Sequence, residues 1–301
     1  MSFSSDAKAE LCRVRRDRSC CAVAECYGIL LFCNTFSFSE IRIITASPEF
    51  AELLPKLFKK AFGISFDVLP SEGVSGKRTF LITDSNKISA IFSRFGLGMS
   101  YSLNHHVNLA VLEEDCCRHS FIRGAFLAGG SVTDPEKHFH LELSTSHKAV
   151  SRETYSILLD MGFAPREAER KLNSLIYFKQ ADMIADFFTG TGASCSAMNI
   201  MTAKVEREMR NTITRRVNCD SANADKVVSA AQEQIDGIHR YASRFGLDTL
   251  PETLKDTAYL RIANPEASLS DLAMLSSPPV SKSCLSYRLK KIIELADRDR
   301  L

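Results

Sequence analysis

Two adjacent cysteine pairs, Cys20-Cys21 and Cys116-Cys117, stand 96 residues apart. Each is followed, seven residues after its second cysteine, by a glycine inside an apolar run. The runs read Ala24-Glu25-Cys26-Tyr27-Gly28-Ile29-Leu30-Leu31-Phe32-Cys33-Asn34 and Ser120-Phe121-Ile122-Arg123-Gly124-Ala125-Phe126-Leu127-Ala128-Gly129-Gly130. Glycine inside a helix costs about 1 kcal/mol relative to alanine unless a close backbone approach or a terminus requires it. Gly28 and Gly124 in matching places therefore point to two copies of one helix, packed tightly along a pseudo-twofold seam.

The segments after the two helices repeat as well. Alternating, β-branched or aromatic stretches at 41–45 and 139–145 read as strands. Helical periods come next at 48–62 and 150–161, ending at Gly63 and Gly162. A strand at 78–83 or 175–180 and a last helix at 84–95 or 181–188 close each half. With a further strand at 64–69, each half reads α-β-β-α-β-β-α or a close variant. The expected class is α+β: a duplicated α/β domain over 1–192, with repeats at about 20–96 and 116–192, then an all-α region.

From Leu250 the pattern changes to three short helical periods with no strand signal. The first, Pro251 to Ile262, opens on a proline. Ser268 is placed to cap Leu269 to Leu275, and Asp271 suits that helix start. Ser276-Ser277-Pro278-Pro279-Val280 blocks continuation. Ser281 is placed to cap a third helix running to about Ala296, which packs through Leu285, Leu289, Ile292, Ile293 and Ala296. This succession is a helix-turn-helix pattern, so 250–301 is expected to be a DNA-binding domain. Ser281 to Lys291 carries four basic residues and no acid. Ser283, Ser286, Tyr287 and Arg288 are the candidates for base or deep-groove contact, and Lys282, Lys290 and Lys291 for phosphate, with Ser281 at the helix start. Between the domains, 193–249 reads as a helical linker with a stop and restart at Asn218 to Asn223. Its Arg207, Arg210, Arg215 and Arg216 are a second set of candidates for DNA contact; Glu206 and Glu208 beside them equally suit a solvated helix face.

A formal charge of +2 advertises no nucleic-acid partner globally, so phosphate binding has to come from such local clusters. No apolar run reaches the roughly 20 residues that span a bilayer, and Met1 to Arg18 is polar and charged, unlike a secretory leader. A cytoplasmic, nucleoid-associated location is expected. Ten cysteines without a secretion signal read as reduced thiols. His105, His106, Cys116, Cys117 and His119 lie close in sequence but match no zinc spacing, and they read as core thiols and solvated histidines. No metal and no cofactor is expected.

The stretch Phe121 to Val132 resembles the LAGLIDADG homing-endonuclease motif, in which a tightly packed helix delivers an acid to a metal at its C-terminal end. Gly129 stands where the motif puts that acid, and Cys33 stands there in the first copy. Metal-assisted phosphodiester cleavage needs hard oxygen ligands, which neither residue supplies, so no catalytic residues are expected. Asp134, in Thr133-Asp134-Pro135, reads as a turn initiator. The order of a degenerate duplicated LAGLIDADG-like domain, Arg215-Arg216-Val217-Asn218-Cys219-Asp220, and Ser277-Pro278-Pro279-Val280-Ser281-Lys282-Ser283 resembles the WhiA family over essentially the whole chain. That resemblance implies a Gram-positive bacterial DNA-binding protein linked to sporulation, cell division and chromosome segregation, without catalysis. Double-stranded DNA is the expected partner, with protein partners in transcription or division. A division scaffold with secondary DNA binding and a residual nuclease using Asp134 are the two rivals.

Overall fold

In a computed structural model that describes residues 2–70, 76–97 and 105–298, the chain divides into Met1–Glu208 and Met209–Leu301. The first unit is built on two helices, α2 (Ser19–Phe32) and α5 (Asp115–Gly129), preceded by α1 (Phe3–Cys12). Every residue of α2 from Ala22 to Phe32 is buried, which is why its sequence shows no polar stripe. A Cβ on Gly28 would fall 2.0 Å from the Phe121 carbonyl oxygen, and one on Gly124 would fall 2.0 Å from that of Glu25. The two contacts are related by the 96-residue offset, so the seam is symmetric and in the register expected from the sequence. The backbones touch, and only glycine permits that.

Each helix feeds an antiparallel sheet. In the first half β1 (Thr35–Phe36), β2 (Ile41–Thr45) and β3 (Arg78–Ile82) pair in the order β1-β2-β3, with α3 (Pro48–Phe62) and α4 (Ser85–Arg94) alongside in sequence. In the second, β4 (Gly130–Val132), β5 (Leu141–Thr145), β6 (Arg166–Arg170) and β7 (Asn173–Phe178) pair in the order β4-β5-β7-β6, with α6 (Lys148–Asp160) and α7 (Ala181–Thr191). The second half has the α-β-β-α-β-β-α order, with the short β4 and β6 added to the strands expected at 139–145 and 175–180. The first half departs from it. The strand expected at 64–69 is only a single bridge, Val68 to Leu81, because Asp67 turns its carboxylate onto the N–H groups of Thr83 (2.7 Å) and Asp84 (2.9 Å). Strand β6 is exposed at every residue, which removes the alternation that would have revealed it.

The polar N-terminus is structural. Ala7 and Leu11 of α1 are fully buried, and the Glu10 carboxylate accepts from the N–H groups of Cys195 (2.7 Å) and Ser196 (2.9 Å), capping α8 (Ser194–Phe245). Helix α8 runs through Asn218 to Asn223 without the expected stop. Asn, Asp and Ser favour caps, but with no proline or glycine nothing forbids the helical hydrogen bonds.

In the second unit the last part of α8 joins α9 (Glu252–Ala263), α10 (Leu269–Leu275) and α11 (Lys282–Asp297) around a core of Ile238, Tyr241, Leu250, Ala258, Leu272, Ala273, Leu285, Leu289, Ile292 and Ala296. Arg261 is buried and holds the α9 to α10 corner: its Nε donates to Gln234 Oε1 (2.9 Å), and NH1 donates to the carbonyls of Asn264 (3.1 Å) and Ala267 (2.7 Å).

Two measurements probe the first unit. Gly28→Ala or Gly124→Ala should cost about 3 kcal/mol or more, the upper range for overpacking, because the atom that must yield is backbone; urea unfolding measures it, and an unchanged midpoint would contradict the seam. Burial beside His105, whose ring lies 4.5 Å away, pushes the His147 imidazole down to about 4. The unfolded chain takes that proton near pH 6.5 and the folded chain only near 4, so stability should fall as pH drops through this window. His147→Gln should flatten that part of the stability profile.

Candidate nucleic-acid interface

Helix α11 is positioned by both ends of the turn before it. Ser268 and Asp271 form a capping box on α10: the Ser268 Oγ accepts from the Asp271 N–H, and the Asp271 carboxylate accepts from Ser268 N–H. After Leu275 the chain turns over 276–281, longer than a three- or four-residue helix-turn-helix connector. Val280 N–H returns to the Ala273 carbonyl (3.1 Å), and Ser276 Oγ bonds the carbonyls of Ala273 (2.8 Å) and Pro278 (3.1 Å). Ser281 then caps α11 by accepting from Cys284 N–H (3.2 Å). Its hydroxyl oxygen is therefore committed to the helix, and its part at an interface is to present the first turn.

At 100° per residue, Lys282, Ser286, Lys290, Ser283, Tyr287 and Lys291 fall in that order around one half of α11, opposite the buried Leu285, Leu289, Ile292 and Ala296. Lys282, Ser283, Tyr287 and Lys290 are exposed. Arg288 is separated from this group: it lies half-buried on the other shoulder of the helix, beside the buried stripe. Lys291 is also qualified, since its ammonium pairs with Glu294 at 3.4 Å, an acid just beyond the basic run. Among the described residues, Lys282 and Lys290 make no ion pair.

The second candidate set is not brought together. Arg207 is engaged within the first unit, where its guanidinium donates to the carbonyl of Lys137 (2.8 Å) and lies over the Phe139 ring at 4.7 Å. It fastens the 135–139 loop and is not a free cation. Arg210, Arg215 and Arg216 are exposed on α8, but helical spacing sends the three to different sides.

At the C-terminal ends of α2 and α5 lies a small polar pocket lined by residues including Cys33, Asn34, Gly129, Ser144, Thr145 and Asn173, with no carboxylate among its described lining. Cys33 donates its thiol to the carbonyls of Leu30 (3.1 Å) and Thr35 (3.2 Å), and burial pushes it up to about 12, so it stays protonated. At Gly129 a Cβ would fall 2.4 Å from the Ser144 carbonyl oxygen. No side chain fits there unless α5 moves away from β5. Asp134 sits outside this lining and accepts from Glu136 N–H (3.0 Å), the turn role expected from the sequence.

Comparison with known proteins agrees with this arrangement. The family model of the WhiA LAGLIDADG-like domain matches residues 118–210, and that of the WhiA C-terminal HTH domain matches 213–296. The probable cell division protein WhiA of Alkaliphilus metalliredigens is 32% identical over 100% of this chain and 99% of its own length. That of Ruminiclostridium cellulolyticum is 35% identical over 100% of this chain and 98% of its own. The chain belongs to the WhiA family. Full-length WhiA from Thermotoga maritima shares the fold, with a TM-score of 0.60 at 24% identity, covering 99% of each chain. The fold is thus a WhiA-type LAGLIDADG-like domain followed by a long helix and a helix-turn-helix. Among the described residues, no helix is long and apolar enough to cross a membrane.

The histidines near Cys116 and Cys117 in the chain are occupied elsewhere. His105 Nε2 bonds the Phe36 carbonyl (2.6 Å), His106 Nδ1 the Glu153 carboxylate (2.7 Å), and His119 Nδ1 the Asp115 carbonyl (2.8 Å). Proximity in sequence groups them with the two cysteines. The structure instead joins Cys116 and Cys117 to Cys20 and Cys21, a grouping that the 96-residue offset held and that adjacency concealed.

Loss of Glu25 tests how the first unit holds its seam. This fully buried carboxylate accepts from Arg16 at 2.8 and 2.9 Å and from Arg123 at 2.9 Å. Glu25→Ala leaves the buried Arg123 and the half-buried Arg16 guanidinium groups without their counter-charge and should cost about 3–5 kcal/mol in denaturant unfolding.

Proposed function

We propose that this protein is a non-catalytic, nucleoid-associated DNA-binding regulator of cell division, which reads duplex DNA with α11 and contacts phosphate with Lys282 and Lys290. The observation that carries this reading is the exposed Lys, Ser and Tyr face of a capped helix whose other face anchors the core of the second unit. A helix presented this way offers base-reading groups at its start and cations at its flank, the division of labour that major-groove recognition requires. Ser283, Ser286 and Tyr287 are assigned to the groove. Arg288 contributes from the edge, and Lys291 contributes less because Glu294 offsets its charge.

The absence of chemistry rests on the pocket at the ends of α2 and α5. A hard divalent metal held for phosphodiester cleavage needs carboxylate oxygens, and the pocket offers a protonated thiol, hydroxyls and amides instead. Supercoiled DNA incubated with the protein and Mg²⁺ or Mn²⁺ should remain intact. Cell division as the process is supported by the names of the full-length relatives.

Binding to a DNA fragment, monitored by fluorescence anisotropy across a salt series, tests the interface. Lys282→Gln and Lys290→Gln should each weaken binding and reduce the slope of log affinity against log salt by about 1, the counterion release of one phosphate contact. Lys291→Gln should do less. Unchanged affinity and slope in the double variant would remove α11 as the interface and leave the scaffold reading.

A further inference from the structure

The four Sγ atoms of Cys20, Cys21, Cys116 and Cys117 all lie within 4.8 Å of one another. All four cysteines are free thiols, ranging from exposed Cys20 to buried Cys117. From this geometry we infer a structural zinc site: one Zn²⁺ held by these four thiolates, clamping the two repeats together at the N-terminal ends of α2 and α5.

Three features of the site support a single tetrahedral ion. The first is size. Zinc bound to thiolate at about 2.3 Å needs sulfurs about 3.8 Å apart, within the span observed, whereas an iron–sulfur cluster spreads its ligands around several core atoms. Symmetry is the second. The 96-residue offset relates Cys20 to Cys116 and Cys21 to Cys117, so the pseudo-twofold axis of the seam runs through the middle of the set. A tetrahedron has twofold axes, and an ion on this one meets equivalent ligands from each repeat.

Charge is the third. Four thiols bound to Zn²⁺ release four protons to solvent and leave a site of net charge −2, which needs compensation. The cysteines occupy the second and third positions of α2 and α5, and neither helix has a side-chain hydrogen bond capping its N-terminus. The positive helix ends favour thiolate there. Arg18 adds a guanidinium, with NH1 3.7 Å from Cys116 Sγ. The ends that in a homing endonuclease would carry chemistry lie at the other termini of the same two helices, about 20 Å away for helices of this length. Zinc here would fasten the seam without approaching that pocket.

The test uses the full chain, purified without a metal-binding tag under reducing conditions. Elemental analysis should find about one zinc per chain, and a Cys21→Ser/Cys117→Ser variant should lose it, while Cys12→Ser keeps it. Replacement of the metal by Co²⁺ should give the intense visible absorption of tetrahedral cobalt thiolate in the unaltered protein. If the double variant does not fold, the single Cys20→Ser change at the exposed position should still lower zinc affinity by about tenfold or more. Four freely titrating thiols with no zinc and no cobalt colour would overturn the site. So would an intact mass showing disulfides in the freshly reduced protein, or bound iron in place of zinc.

Discussion

The first unit depends on one contact, the meeting of two helix backbones at Gly28 and Gly124. Because each glycine lies against the other helix's carbonyl, the helices approach more closely than any side chain would allow, and the residues flanking them are sealed on all sides. Everything else in the unit is arranged around that line. The two sheets continue from the C-terminal ends of α2 and α5, and their strands inherit the pseudo-twofold relation.

A symmetric seam of apolar helices has little to hold one register against another, and the asymmetric features supply it. Glu25 is buried in one copy where Phe121 stands in the other, and it is neutralised by Arg16 from the α1 to α2 connection and Arg123 from α5. Such an ionic group is a poor source of net stability but costs a great deal when mispaired, so it disfavours a slipped seam. The same line has different chemistry at its two ends. Thiols gather where the helix N-termini favour negative charge. At the opposite end lie a protonated cysteine and a glycine with no room for a side chain.

The second unit is a different kind of construction, with local capping in place of backbone contact. The Ser268 and Asp271 box, the Ser276 turn bonds and the Ser281 cap aim α11, while Arg261 ties the preceding corner. The basic face can remain exposed because the apolar face alone completes the core.

Much of this was legible in the chain. Local rules sufficed for the α11 cap and its face, for α10, and for the repeat, since each depends on residues a few positions apart or on a constant offset. The legible part ended where partners are distant. The capping of α8 by Glu10, the burial of α1, the carbonyl bonds that engage Arg207, and the fully exposed β6 arise from contacts between segments far apart in sequence. By itself the sequence determined that two glycine-bearing helices must meet and that a capped basic helix ends the chain, because spacing and residue size leave little choice. Only the tertiary structure decided which cysteines face one another and which arginines stay free, because both depend on the direction each side chain takes once the seam has closed.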